Sequence, residues 1–405
     1  MPAIVLLMTL RLVLLSFCIF TIGNAQNVES PKFGDGMVNF IGKDSTWSMK
    51  AGLQMQFLSE SEWQEDAGNF KDAETSFLIR RARLNMEGFV YSPKLTYKIV
   101  LGFSNKDMSG ASEYTSNAPR YILDAVMKWN FYKNFQLWFG QTKLPGNREF
   151  GISSTSQQFV DRSLLSTNYN AGRDLGLQVR HHFNLSEKFV VKEAFAISQG
   201  DGRNVTSGNV GGFQYTSRLE LLPLGEFSKK GDYVGGDLYR ESLPKLAFGI
   251  TYDFNDDAIR TGGNQGAYMV NDIGFHKTNI STLTVDAVFK YQGFSFLGEF
   301  AHRWAADPVS KNADGSLTGH EVNLGGGLNL QSGYVFDTNW EVSARYTNID
   351  FDSGITGKDL QNQYTLGLSK YIVGHKLKVQ TDISYLTNTI SNDQLMWRLQ
   401  FAIDF

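Results

Sequence analysis

Residues 77–85 read FLIRRARLN, three arginines set into an otherwise apolar, strand-like run. Taken with period two, Leu78, Ala82, Leu84, Met86 and Val90 share one side, and Arg81, Arg83, Asn85 and Glu87 share the other. Only Arg80 breaks the phase. A strand with one hydrocarbon face and one ionic face needs an apolar medium on one side and water on the other. A soluble sandwich and a membrane barrel both supply this, so the rest of the chain has to decide.

The amino terminus sets the compartment. Arg11 is followed by the apolar run LVLLSFCIF and then by TIGNAQ, where Gly23 and Ala25 supply the small residues a cleavage site uses. Residues 1–25 therefore read as a secretory signal peptide, with translation starting at Met1 or, for a more usual basic start, at Met8. The uncharged run after Arg11 is shorter than the ~20 residues a spanning helix needs, which argues against a retained anchor. Phe17 before Cys18, and the apolar stretch that continues past it, argue against lipidation. Removing residues 1–25 deletes Arg11 alone among charged residues, so 38 basic residues become 37 against 41 acidic, a net charge of −4. So mild a balance gives no reason to expect nucleic acid as a partner. Cys18 is the only cysteine, so the mature chain has no disulfide, thiolate metal site or cysteine nucleophile.

The full sequence combines 40 glycines, 30 phenylalanines and 17 tyrosines with only 8 prolines. No apolar run after residue 25 is long enough for a membrane helix, so a membrane location requires strands. Sixteen alternating segments can be placed, from 47–58 and 76–90 through to 375–386 and 394–405, most of them about ten residues long, as a tilted spanning strand requires. Short connections such as YSP (91–93), YK (132–133), NLSE (184–187) and QG (292–293) alternate with long polar ones. The expected fold is all-β: a sixteen-stranded antiparallel transmembrane barrel with short periplasmic turns and long extracellular loops, spanning residues 47–405 after a periplasmic lead-in at 26–46. Residues 223–244 resist the pattern, being long where a short turn is expected, and read as an insertion. The final segment, QLMWRLQFAIDF, ends on Phe405, an aromatic carboxyl terminus of the kind by which bacterial outer-membrane barrels are recognised for assembly. Tyr121, Trp129, Phe131, Trp304 and Trp397 suit interfacial girdles.

On the inward phase, Lys and Arg outnumber Asp and Glu. Arg81, Arg83, Lys98, Arg120, Lys128, Arg180, Arg218 and Arg345 are the candidate anion-binding residues, since a ring of positive charge favours anions in a water-filled lumen. The longest loop, 142–174, is expected to fold inward as in other sixteen-stranded barrels, bringing Lys143, Arg148, Glu149, Asp161, Arg162 and Arg173 to a constriction. Catalytic signals are lacking: no GxSxG or HExxH motif is present, and the calcium-like DFNDD (253–257) has Asn264 where a terminal glutamate is needed. No catalytic residue, metal or cofactor is expected.

FLIRRARLNMEGFVYSPKLTYKIVLGF, GQTKLPGNREF, FVDRSLL, GRDLGLQV and the aromatic terminus resemble the phosphate-selective porins of the O and P type, in the form found in Bacteroidetes. The resemblance is strongest over residues 76–180. Arg81 and Arg83 map onto the family's basic strand motif, whereas GQTKLPG departs from the more usual proline, phenylalanine, glycine sequence after the lysine. The resemblance implies a homotrimeric channel in the outer membrane whose arginine ladder admits phosphate or polyphosphate. A passive, anion-preferring porin is the expected function, with small anionic solutes and membrane lipid as partners. A general-diffusion or other-solute porin and a surface-binding or adhesion barrel are the rivals, and a barrel enzyme has least support.

Overall fold

The computed structural model describes residue 33 and residues 36–405, apart from 67, 207 and 359. The expected signal peptide and the start of the expected lead-in lie outside the described residues. Sixteen strands form the barrel. The first six are β1 (Ser48–Asp66), β2 (Asn69–Val90), β3 (Ser92–Gly102), β4 (Ile122–Tyr132), β5 (Phe135–Lys143) and β6 (Arg173–Asn184). Five more follow: β7 (Val190–Ser198), β8 (Gln214–Leu222), β9 (Lys245–Ala258), β10 (Thr278–Tyr291) and β11 (Phe294–Ala305). The last are β12 (Gly325–Val335), β13 (Trp340–Phe351), β14 (Gln361–Val373), β15 (Leu377–Asn388) and β16 (Gln394–Asp404). Each pairs antiparallel with its neighbour, and β16 closes on β1, with Gln54 opposite Asp404 and Gln64 opposite Gln394. Closure leaves no open edge in the bilayer, where an unpaired backbone group has no water to turn to. Within the stretch read as lead-in, a short strand Val38–Ile41 pairs with Ser48–Ala51 and extends the seam.

All sixteen strands lie on the segments anticipated from alternation. Their lengths differ most at β1 and β2, where a long loop was expected over 59–75. A continuous ladder runs instead from Gln64↔Lys71 and Asp66↔Asn69 down the hairpin. Polar cross-strand pairs hold its outer part: Ser61 and Thr75 hydroxyls lie 2.9 Å apart and Lys71 reaches Asp66 at 2.8 Å.

The phase break at Arg80 is a β-bulge. Register passes from Gln56↔Arg81 to Phe57↔Ile79, leaving Arg80 as the extra residue. Arg80 and Arg81 therefore both point inward and are buried. Beyond the bulge the faces exchange, so Phe77 and Ile79 are exposed on the outside and Leu78, expected there, pairs with inward Leu58.

The barrel is apolar outside and polar inside. Phe139, Leu177, Ile250, Leu366 and Phe401 are exposed on the outer wall, while Gln56, Thr216, Asn329 and Thr347 are buried inside. Trp129 packs tilted against Phe131 at the short-turn end, and Tyr252 against Trp304 towards the other, consistent with two interfacial belts. Among the described residues no helix is long and apolar enough to cross a membrane.

Candidate functional site

Loop 144–172 folds into the lumen and ties itself to the far walls. Its short helix Leu164–Tyr169 packs Leu165 and Tyr169 against Ala301, Ile349 and Phe351 of β11 and β13. Gln380 Nε2 of β15 donates to the Gln158 carbonyl at 2.9 Å, and the Val160 amide donates to Asp382 at 3.1 Å. Space for these side chains comes from glycines on the inner wall. A Cβ on Gly333 would lie 2.2 Å from Gln158 Nε2, and one on Gly367 would lie 3.1 Å from the Phe159 ring.

Several candidate residues serve as anchors of this loop and are withdrawn from water. Arg80 and Arg81 both pair with Asp161, and Arg81 also donates to Gln56 Oε1 at 2.6 Å. Burial pushes the Asp161 carboxyl up, but Arg81, Arg80, Lys106 and Arg398 outweigh it and hold the group below the usual carboxylate range. Glu149 accepts from the Ser163 hydroxyl at 2.5 Å and its amide at 3.0 Å, with Arg345 3.8 Å away. Arg345 donates to the Asp161 carbonyl and lies under the Phe159 ring. Arg148 is fully buried, its Nε 2.7 Å from Asp286 Oδ1, and its other nitrogens face Glu220 at 3.4 Å and Asp232 at 3.8 Å. Burial would lower its pKa, but Asp286 and Glu220 raise it further.

Asp232 belongs to the connection 223–244, which turns inward from the short-turn end. Phe227 anchors it in an apolar cluster with Val190, Leu222, Ala247, Val288 and Leu297, a burial that contributes roughly 1.5–3 kcal/mol. Its tip meets loop 144–172: the Gly235 amide donates to the Ser156 carbonyl at 2.7 Å. His375 donates its Nε2–H to the Gly235 carbonyl 2.9 Å away, and Tyr233 donates its hydroxyl to Glu220. The two segments together fill one side of the lumen.

On the other side they leave a cavity of about 520 Å³. Its wall carries Lys50, Arg83, Lys98, Lys128, Lys143, Arg162, Arg173, Arg180 and Arg218 against Glu87, Asp124 and Asp404, nine basic groups to three acidic. Of the residues expected in the pore, Arg83, Lys98, Lys128, Arg180 and Arg218 are on this wall, as are Lys143, Arg162 and Arg173 from the expected constriction. Arg81, Arg345, Arg148, Glu149 and Asp161 are not: Arg81 and Arg345 sit beneath the loop, and Arg148, Glu149 and Asp161 are the loop's own buried anchors. Arg120 lies before β4, its Nε bonded to the Ser109 carbonyl.

The wall cations differ in how far they are neutralised. Arg218 bonds Glu220 at 2.7 Å and Asp286 at 2.8 Å, Arg173 meets Asp124 at 3.1 Å, and Arg83 meets Asp107 at 2.6 Å while donating to Ser154. Lys143 instead donates to the carbonyls of Phe150, Gly151 and Ile152. Arg162 does so to those of Glu149 and Ile152, and burial pushes its pKa down to about 10, which leaves it charged at neutral pH. Sequence reasoning noted Arg80 only as a break in phase and did not single out Trp138 or Tyr233. Tyr233 had a visible signal, since Phe227, Tyr233 and Tyr239 are unusual in a solvated periplasmic turn.

A closed sixteen-stranded barrel with a hydrocarbon outer wall, a polar lumen and an inward-folded third loop has the architecture of outer-membrane porins. Residues 53–224, the first eight strands, match the family described as phosphate-selective porin O and P, the family that the sequence resembles. Over 361 residues the chain is 26% identical to an uncharacterized protein of Aquifex aeolicus (strain VF5), covering 82% of this chain and 81% of that one. Among solved structures it is similar to an anion-selective porin from Comamonas acidovorans, with 11% identity, a TM-score of 0.52, and coverage of 89% of this chain and 100% of that one. It is also similar to the outer membrane channel DcaP of Acinetobacter baumannii, with 12% identity, a TM-score of 0.53, and coverage of 91% and 100%. A third is OmpF of Salmonella typhi in complex with daunomycin, with 12% identity, a TM-score of 0.54, and coverage of 90% and 100%. At these identities the likeness to solved structures carries the barrel fold alone.

Proposed function

We propose that this porin passively admits small hydrophilic solutes with a preference for anions, phosphate first. The observation that carries the reading is the cavity wall, with nine basic groups to three acidic, in a chain whose overall charge is negative. The description of the matching family points to phosphate, and the Comamonas acidovorans structure is named as an anion-selective porin. Guanidinium and ammonium groups replace part of an oxyanion's hydration shell, and the arginine fork suits phosphate oxygens. Several moderate sites in series let the ion leave again, which one tight site would prevent. No covalent step or cofactor enters this reading. A cleaved signal peptide at residues 1–25, a barrel over 47–405 and a homotrimeric assembly complete it.

The test is conductance in planar bilayers. A KCl gradient should give a reversal potential on the anion side, and added phosphate should block the chloride current. Arg83→Gln with Arg162→Gln should raise the phosphate concentration needed for half block. A barrel that carries little current supports the adhesion or binding alternative; current without charge preference supports a general-diffusion porin. Amino-terminal sequencing of the mature protein and its mass in detergent check the cleavage site and the trimer.

A further inference from the structure

Trp138 faces inward from β5 and borders the basic cavity. Lys128 reaches it from β4, with Nζ 3.9 Å from the ring centroid, and Arg180 from β6, with its guanidinium carbon at 4.2 Å. Register explains the meeting: Lys128 is directly opposite Trp138 on one side, and Arg180 lies one inward step along the strand on the other, where Gln178 is opposite Trp138. The indole is fixed by its own N–H, which donates to Gln136 Oε1 at 3.0 Å. Gln178 Oε1 accepts from Arg180 Nε and Nη2 at 3.2 and 2.8 Å, which fixes the guanidinium fork.

Neither cation has a carboxylate within 4 Å among the described residues. Asp124, on the same wall, is taken by Arg173 and by the Thr142 hydroxyl at 3.0 Å. A pair of like charges in a lumen is usually separated by an acid, which neutralises it. Here an aromatic face does the separating, since its negative quadrupole attracts both cations without cancelling their net charge. All three residues lie four or five places from the short-turn ends of their strands, on the periplasmic side of the loop.

We propose that Lys128 and Arg180 form a distinct anion subsite on the periplasmic side of the constriction, and that Trp138 is the positioning residue that holds both cations unpaired and turned towards the lumen. The ligand is an oxyanion of the phosphate type, able to accept from an ammonium and a guanidinium at once. The subsite rests on the anion-preferring reading above.

The experiment measures block of chloride current by inorganic phosphate in wild type, Trp138→Ala, Trp138→Phe and Lys128→Gln/Arg180→Gln channels, with phosphate added from either side. Trp138→Ala, which removes no charge, should raise the half-blocking concentration about fivefold, as loss of two cation–π contacts implies. Trp138→Phe should recover most of that loss, and the double Gln variant should lose at least as much as Ala. Phosphate should also change the intrinsic fluorescence of wild type, a response that Trp138→Phe lacks. Trp138→Ala blocked as wild type, or a fluorescence response retained in Trp138→Phe, overturns the subsite. A wild-type channel with no anion preference in a KCl gradient overturns the underlying reading instead, so the two failures are distinguishable.

Discussion

Arg148→Gln isolates the joint between the inward loop and the periplasmic insertion. Arg148, Arg218 and Lys192 face Asp286, Glu220 and Asp232, three positive charges against three negative, within 3.8 Å at every contact. Removing Arg148 leaves two cations, Arg218 and Lys192, against three buried carboxylates, and the uncompensated charge costs up to roughly 3–5 kcal/mol, the scale for breaking a buried pair by one partner. The barrel's backbone ladder is untouched, so the cost falls on the seating of loop 144–172 and of 223–244. At 1.4 kcal/mol per factor of ten, the released population should rise by up to about two to four orders of magnitude. In single-channel recordings this appears as larger conductance steps and greater open-channel noise, with the folded barrel still resisting detergent unfolding. Adding Asp286→Asn should recover part of the loss, because the two residues share one network. Traces and urea midpoints in lipid vesicles that match wild type for Arg148→Gln would refute the view that this network seats the two segments.

Two further outcomes follow from the same contacts. Gly235→Val places a Cβ 2.5 Å from the Gln158 amide nitrogen and 2.7 Å from the Ser156 carbonyl; an overpacking cost of about 1–3 kcal/mol should expose 223–244 to faster limited proteolysis, and unchanged cleavage would mean that the seam does not hold it. Asp161, held below the ordinary carboxylate range, stabilises the loop fully above its unfolded value near 3.9 and loses that effect as pH falls through the lower folded value. Open-channel noise should therefore stay low from neutral pH to about 4 and grow below it, whereas Asp161→Asn should be noisy already at neutral pH.

The barrel was legible because its rule is local: alternation, strand length and turn length are all written within a dozen residues. Arg80 shows where locality ends. An extra residue in one strand becomes a bulge only in relation to the partner's register, here Gln56 and Phe57, so FLIRRARLN could reveal that the phase broke but not that two arginines would turn inward together. Arg81 and Arg345 lie on the inner wall as alternation implied, yet the loop that covers them is joined to that wall by contacts such as Val160 to Asp382, 222 residues apart. Nothing in the local pattern distinguishes an inner residue facing water from one facing a loop. The polar stretch ESEWQED hid the upper part of β1 for a related reason: above the bilayer a strand no longer needs an apolar face.

Lumen composition is therefore a poor guide to selectivity, and partitioning a better one. Glu220, Asp286, Glu299 and Glu341 are consumed in seating the two inward segments, through Arg148, Asn147 and Gln158 among others. Acids that would have offset part of the lumen's positive charge are thus sequestered on the filled side. Lys98, Lys128, Lys143, Arg162 and Arg180 stay on the open side with no carboxylate within ion-pair distance among the described residues. Inward folding of loop 144–172 and of 223–244 thereby narrows the passage and sorts its charges in one arrangement. A barrel with the same inward residues but an empty lumen would present a weaker positive bias. Positive bias on the open side follows from where the carboxylates are buried, and a variant that releases the segments should lose selectivity as it gains conductance.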